Sequence, residues 1–325
     1  MPNNELTGKY ASGRAARKRI SCTPSVIALG FFDGVHFGHG DLLERTASVA
    51  TAYGWQSAAL TFDRSPGKDG RLLTTVEDRV RLIRSLYGID EVIVLPFTEE
   101  FMHLPWDAFL EALVRDYGAS HLVCGWDYRF GYRGRGTPAM LGQWCQTAGL
   151  GCDVIEPRVI DGVTVSSTHL KTLIETGQTE SAIRFYGHPH TLTGIVRPGR
   201  HLGHTLGFPT ANLLPPPELV LPMDGVYAVC GTVEGRTYPG VCNVGTNPTV
   251  GGSCRTVETW LADFEGDLYG KTLTVNFHRF LRAERRFPDL AALRLQVERD
   301  RTEALAFFAA RKSIEAPCHP SAKSS

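Results

Sequence analysis

The sequence predicts two domains of different class: an α/β domain on an open parallel sheet, then a small antiparallel β-barrel with a C-terminal helix. Three observations carry that prediction. From residue 26 to residue 155, short apolar runs alternate strictly with stretches of helical period. Beyond Gly187 the pattern changes to β-rich runs punctuated by Gly, Pro and Asn. A chain of 325 residues with 42% hydrophobic content can also bury more than one core.

In the first half the strand-like runs are 26–29, 58–62, 92–95, 121–124 and 152–155, and helices are expected over 41–52, 76–86, 106–117 and 138–148. Ligands of such a sheet bind beyond the carboxyl ends of its strands, so a nucleotide is expected there. Two short helices follow, 168–176 stopped by Gly177 and 180–186 stopped by Gly187, and Pro189 bars continuation. The boundary therefore falls at Gly187, giving an α/β domain over 25–187 and a barrel domain over 188–312. Barrel strands are expected over 192–196, 226–233, 237–244, 257–264 and 272–280, with a helix over 290–310 closing or flanking them. Residues 1–24 read as a basic disordered arm, with Lys9, Arg14, Arg17, Lys18 and Arg19 against Glu5, and 313–325 as a frayed tail.

Lys plus Arg balance Asp plus Glu at 34 each, so no whole-chain field favours nucleic acid or an anionic membrane. No stretch approaches the roughly 18 apolar residues of a membrane span, and no apolar signal core stands near residue 1. The expectation is a cytoplasmic protein with neither kind of partner; oligomeric state is left open. Cys22, Cys124, Cys145, Cys152, Cys230, Cys242, Cys254 and Cys318 form no CxxC pair and read as reduced thiols. Zinc or iron is not expected, because no cluster has the ligand spacing.

Residues 30–39 read GFFDGVHFGH, directly after the first strand and before a helix that Asp41 can help start. Gly30 and Gly34 permit a tight turn, Gly38 lets backbone approach a ligand, and the helix N-terminus offers free N–H groups to a phosphate. His36 and His39 can donate to α-phosphate oxygens as charge builds on them. The plainer alternative is an ordinary strand-to-helix turn with two surface histidines. The run Ser166, Ser167, Thr168, His169, Leu170, Lys171 adds hydroxyls at a helix start and a cation one turn on, a pattern that suits polyphosphate but also plain N-caps.

Together these segments resemble the HxGH and SSTxxR signatures of the nucleotidylyltransferase superfamily. With Thr61-Phe62-Asp63 and the GWDYRFG run at 125–131, the likeness narrows to the adenylyltransferase module of bacterial bifunctional riboflavin kinase/FAD synthetases. The resemblance implies a nucleotidylyltransferase-like, Rossmann-like domain that adenylylates FMN to FAD. It implies ATP contacts at Gly30, Phe31, Asp33, Gly38, Ser166, Ser167, Thr168 and Lys171, and flavin contacts at Asp63, Asp127 and Phe130. Two departures stand out: Arg64-Ser65 opens a short loop where that family has Pro-His, and Lys171 replaces the Arg of SSTxxR, keeping charge but losing the bidentate fork.

In the second half, residues 203–212 read GHTLGFPTAN. Thr210 and Asn212 lie on alternate residues, so an extended chain points both oxygens the same way, and such ligands suit Mg²⁺. The segment resembles the PTAN signature of riboflavin kinases, and the likeness continues through 224–227, 243–249, 256–260, 263–264, 268–270 and 281–287 to Gln296 and Asp300. It implies a riboflavin kinase domain with Glu258 as the base for the ribityl 5′-hydroxyl, Mg²⁺ on Thr210 and Asn212, ATP phosphates at Gly194, Gly199 and Gly203, and flavin at Arg282. His204 stands where the family commonly has Arg, and Trp260 where it commonly has His.

Three readings remain open on the sequence. One is a bifunctional enzyme that converts riboflavin to FMN and FMN to FAD with ATP and Mg²⁺. Another is an active kinase attached to an inactive or repurposed nucleotidylyltransferase domain, which the short loop at Arg64 favours. The third is a non-catalytic flavin-binding regulatory protein, against which the intact Thr210, Asn212 and Glu258 weigh.

Overall fold

The computed structural model describes residues 23–65, 67, 70–198, 210–249 and 252–312. Most of the expected basic arm and the expected tail, together with Gly199, Gly203 and His204, lie outside them. The chain divides into two compact units, one running to Leu170 and regaining Phe185–Gly187, the other made of Lys171–Arg184 and the chain from His188 onward.

In the first unit, β1 (Ser25–Leu29), β2 (Gln56–Phe62), β3 (Glu91–Leu95), β4 (Ala119–Gly125) and β5 (Gly151–Ile155) form one parallel sheet in the order β3-β2-β1-β4-β5. Its helices are α1 (Phe37–Tyr53), α2 (Val76–Tyr87), the single turn α3 (Glu99–Met102), α4 (Trp106–Tyr117) and α5 (Pro138–Ala148). Every residue of β1 is buried. Ile27 and Leu29 pack with Leu110 and Leu113 of α4 and Leu141 of α5, whereas Val26 and Ala28 pack with Leu43 of α1 and Ile83 of α2. This period of two on a strand covered on both faces is why the run reads as continuously apolar. Strand order reverses between β1 and β4, which makes their carboxyl ends the switch point where such sheets hold ligands.

The helix expected to start at Asp41 starts earlier, at Phe37, because the ring of His36 caps it in place of the usual short polar side chain. Gly54, at φ 66°, stops it in the left-handed region. The turn α3 and the hairpin of β6 (Val159–Ile160) and β7 (Val163–Thr164) have no counterpart in the sequence reading, being too short for periodicity to register.

The helices α6 (Ser167–Glu175) and α7 (Thr179–Tyr186) contain the division between the units. The sequence boundary at Gly187 follows chain punctuation, while packing groups residues 171–184 with the second unit. Met223 N–H donates to the Ile174 carbonyl at 3.2 Å, and Arg279 pairs with Glu180 at 3.0 Å.

The second unit is an antiparallel six-stranded sheet in the order β8-β13-β10-β11-β12-β9. Its strands are β8 (His190–Ile195), β9 (Ala211–Leu213), β10 (Gly225–Val233), β11 (Arg236–Thr249), β12 (Gly252–Leu261) and β13 (Thr272–Ala283). The sheet curls until its edges meet, Arg197 N–H donating to the Asn212 carbonyl at 2.9 Å. Cys242, Val244, Val257, Leu261, Leu273, Val275 and Phe277 are buried in it. Helix α8 (Leu290–Lys312) packs on β10, β11 and β13, with the Arg301 guanidinium 3.9 Å from the centre of the Trp260 ring. The strands β11 and β12 run through Pro248 and Gly252, residues that read as loop punctuation in the sequence. Among the described residues no helix is long and apolar enough to cross a membrane, and Cys124, Cys145, Cys152, Cys230 and Cys242 form no disulfide.

Candidate nucleotide and flavin sites

The first site is built on the turn between β1 and α1. Phe32 and Val35 take positive φ, 55° and 46°, although neither is glycine and both are buried; Gly34 follows the same bend at 83°. Backbone held this way costs on the order of 1–3 kcal/mol per residue and persists only where the surroundings over-determine it. Asp33 does so: its carboxylate accepts from Leu73 N–H at 2.9 Å, Thr74 N–H at 3.1 Å and the Thr74 hydroxyl at 3.2 Å, and Gly34 N–H donates to the Thr74 hydroxyl oxygen. Expected at a phosphate, Asp33 is instead 3% exposed and engaged with the loop that it shapes.

His36 ends this turn. Its Nδ1 accepts the His39 N–H at 3.2 Å, which puts the ring proton of the neutral imidazole on Nε2. The two rings stack at 3.6 Å, 14° from parallel, and Phe32 meets His39 edge-on. His39 Nδ1 is shut off from solvent and has no hydrogen-bond partner within the protein. Burial first, then the neighbouring His36 and Arg79, hold the His39 imidazole well below its ordinary range, so it is neutral near pH 7. The first turn of α1 carries no acidic residue that would offset its positive end. A neutral pair of N–H donors at an open helix N-terminus, with a fixed tautomer, suits a phosphoanhydride.

The serine run meets this turn directly. Ser167 Oγ donates to the Asp33 carbonyl at 2.9 Å, and Ser166 Oγ caps α6 by accepting the His169 N–H at 3.3 Å. Thr168 is exposed, and Lys171 follows half-buried in the next turn. A side chain at Gly38 would come within 3.3 Å of the His36 ring, so glycine keeps that ring clear. Beside the turn, Phe31 lies under the buried Arg79 guanidinium at 4.2 Å.

Of the residues expected at the flavin, Asp63 Oδ1 accepts Phe97 N–H at 2.8 Å and lies 3.6 Å from Arg64 Nε, so the residue that departs from the expected loop pattern pairs with the carboxylate beside it. Asp127 is exposed past β4, next to the half-exposed Trp126 ring. Phe130 is 5% exposed and stacks on Tyr128 within the core rather than standing open to a ligand.

The second site is a row across the barrel. Arg282, Val226, Asn243, Glu258 and Asn212 are successive register partners on β13, β10, β11, β12 and β9. Directly opposed residues share a face. Their neighbours Cys242, Val244, Val257, Thr259, Ala211 and Leu213 are buried, which turns Glu258 and the two asparagines to the outside of the barrel. Asn212 Nδ2 donates to the Thr210 carbonyl at 3.3 Å, leaving Oδ1 as an acceptor. Asn212 and Glu258 thus stand side by side with oxygen acceptors, the kind that a hard divalent cation such as Mg²⁺ takes, and Thr210 lies two residues before Asn212.

Helix α8 lies over the Arg282 end of this row. Asp300, 3% exposed, takes Arg282 Nε at 3.0 Å, Arg282 Nη2 at 2.7 Å and Gln296 Nε2 at 2.7 Å. Asn243 Nδ2 donates to Glu284 Oε1 at 3.1 Å, and Gly245 leaves room for that carboxylate. An open cavity of about 360 Å³ is lined by Arg285, Arg286, Phe287, Leu295, Gln296 and Arg299. That is within the size range of small-ligand pockets, and its lining offers a ring face and cations to a flat, electron-rich ligand. Gly194 sits on β8 against Leu213. Sequence reasoning assigned no role to Arg79, and Asn243 and Glu284 entered only as parts of motifs.

The FAD synthetase family model matches residues 19–169, and the riboflavin kinase family model matches residues 186–308. Curated proteins named bifunctional riboflavin kinase/FMN adenylyltransferase are similar over both units. The one from Listeria monocytogenes is 33% identical over 87% of this chain and 92% of its own length, and the one from Escherichia coli K12 is 34% identical over 88% and 94%. A crystal structure described as a macrolide-efflux protein from Streptococcus pneumoniae is 28% identical with a TM-score of 0.76, covering 86% of this chain and 92% of that one. Two family models in succession, and relatives that span nearly their whole lengths, place the chain in the bifunctional riboflavin kinase/FMN adenylyltransferase family.

Proposed function

We propose that this chain makes FMN from riboflavin in its barrel unit and FAD from FMN in its α/β unit, consuming one ATP in each step. The row that sets Glu258 between Asn212 and Asn243 carries the reading, because a binding protein has no use for a carboxylate base beside an oxygen-donor set. In the first step the ribityl 5′-hydroxyl gives its proton to Glu258 while its oxygen bonds to the γ-phosphorus, and the bond from that phosphorus to the β-bridging oxygen breaks, releasing ADP. Thr210 and Asn212 would hold Mg²⁺, which supplies charge neutralisation at the phosphates. Arg282, fixed by Asp300, and the Phe287 ring shape the flavin end, and positioning supplies most of the acceleration.

In the second step a phosphate oxygen of FMN bonds to the α-phosphorus of ATP, and the bond to the bridging oxygen breaks to release pyrophosphate. His36 Nε2–H and the N-terminal N–H groups of α1 donate to the oxygens on which charge builds. A cytoplasmic enzyme, with ATP at hand, fits this reading.

The pairing of Arg64 with Asp63 favours a second reading, in which the kinase works and the α/β unit takes a different acceptor or none. One experiment separates the two: incubate the protein with riboflavin, ATP and Mg²⁺, then with FMN, ATP and pyrophosphatase, and resolve the flavins by chromatography. FMN followed by FAD is expected. FMN without FAD selects the second reading, and no turnover overturns both.

A further inference from the structure

Arg79 on α2 has no exposed surface at all, and neither reaction step above uses it. A buried guanidinium is costly unless hydrogen bonds replace the water it gives up. Here the replacement is partial. Nη1 donates to Thr61 Oγ1 at 3.0 Å and to the Phe62 carbonyl at 2.9 Å, while Nε and Nη2 have no hydrogen-bond partner within the protein. Thr61 passes the first bond on, its hydroxyl donating to the Phe31 carbonyl at 2.7 Å, and the Phe31 ring lies under the guanidinium. One side chain therefore holds both segments at the floor of the first site, the turn after β1 and the end of β2. Asp33 and Glu77 act on this charge from nearby, but the Asp33 oxygens already take Leu73 and Thr74. A helix position needed only for packing would be met by Leu or Met, with no donors left unpaired.

We propose that Arg79 is a positioning residue for adenylyl transfer, a buried cation that fixes the Phe31 turn to the end of β2 at the floor of the site that carries His36 and His39. This rests on the adenylyltransferase reading of the first unit. The titratable groups that act on His39 are His36 from the turn before it and Arg79 from α2, and both oppose its protonation. His36 Nδ1 is already taken by the His39 N–H, and Arg79, with His36, opposes a proton on His39, so Arg79 helps keep His39 a neutral group beside the capped start of α1.

The test compares Arg79→Met, which keeps bulk and removes charge, with Arg79→Lys, which keeps charge and removes the fork. Histidine ring resonances of the full chain are followed against pH, with His39 assigned through His39→Gln, alongside FMN and FAD formation. In Arg79→Met, His39 should titrate at higher pH than in the wild type. Its kcat for FAD formation should fall on the order of a hundredfold, as for a misplaced reacting geometry, with FMN formation unchanged. Arg79→Lys should titrate like the wild type at His39 and recover part of the FAD activity. An unmoved His39 titration in Arg79→Met overturns the proposal. If that variant does not fold, an upward shift in Arg79→Lys, where the charge is retained, overturns it equally. Absence of FAD from the wild type would instead remove the adenylyltransferase reading, and the histidine titration would still decide what Arg79 does.

Discussion

Glu258 sits half-buried on β12, opposite an asparagine on each neighbouring strand. Replacing its carboxylate by the isosteric amide removes the proton acceptor and leaves the row intact. Glu258→Gln is therefore expected to cut FMN formation by about a hundredfold or more, with riboflavin affinity little changed and FAD formation from supplied FMN unaffected; normal FMN turnover would take the base role from it. Asn212→Ala and Thr210→Ala should each raise the Mg²⁺ concentration needed for half-maximal phosphorylation, and metal titrations identical to the wild type would reduce this segment to a strand end. These residues came to notice through motifs that resemble riboflavin kinases, since a lone Glu on a strand is by itself unremarkable. Arg79 was not, because in the run VEDRVRLI an arginine looks like part of a solvated helix face, and only the sheet packed over it makes it buried. Asp33 shows the converse: its acidity near a phosphate turn is visible, but the loop at Leu73 that it grips lies 40 residues away.

At the scale of elements, the strand-helix alternation and the C-terminal helix were legible from periodicity, whereas β9 and the extended ends of β11 and β12 were not. Their sequences carry Pro, Gly and Asn, and they are strands because neighbouring strands pair with them, not because of local propensity. The link between α8 and β13 depends similarly on one contact that sequence spacing does not disclose. Asp300 is nearly buried and holds Arg282 and Gln296 together. Asp300→Asn leaves Arg282 without its counter-charge, and because Arg282 retains some water access the cost should be about 2 kcal/mol, below the range for fully buried pairs. The expected result is faster amide exchange along 290–312 and a higher KM for riboflavin, with kcat for FMN formation less affected. Unchanged exchange in that helix would show that its packing on Trp260 and the barrel suffices without the ion pair.

For the whole molecule, placing the two chemistries in separate compact units makes them separable by mutation. His36→Ala combined with His39→Ala should abolish FAD formation and leave FMN formation at its wild-type rate; a parallel loss of both would mean that the α/β unit is needed for the kinase to fold. The same separation was readable from the change of pattern near Gly187, although packing moves residues 171–184 to the barrel side, a choice made by Met223 and Arg279 from far along the chain.

Acid should weaken the barrel unit through two histidines that no motif marks. His190 is 1% exposed and its Nε2–H donates to the Val220 carbonyl at 3.2 Å; burial, the larger effect, brings its pKa down to about 4. His278 is likewise lowered to about 4, by burial and then by the Arg311 guanidinium. In the unfolded chain both return to about 6.5. Between those values the unfolded state binds more protons, so stability rises with pH across the window and is lost as pH falls from about 6.5 towards 4. For His190 alone the loss should reach about 2 kcal/mol by roughly pH 5, from about 1.4 kcal/mol per pH unit once the unfolded form is protonated. His190→Gln keeps an N–H donor for Val220 and cannot titrate. Urea unfolding of the full chain at pH 7 and pH 5 is therefore expected to show a smaller loss of stability in that variant than in the wild type. Equal losses in the two proteins would mean that the acid sensitivity of the barrel arises elsewhere, with His278 the next group to replace.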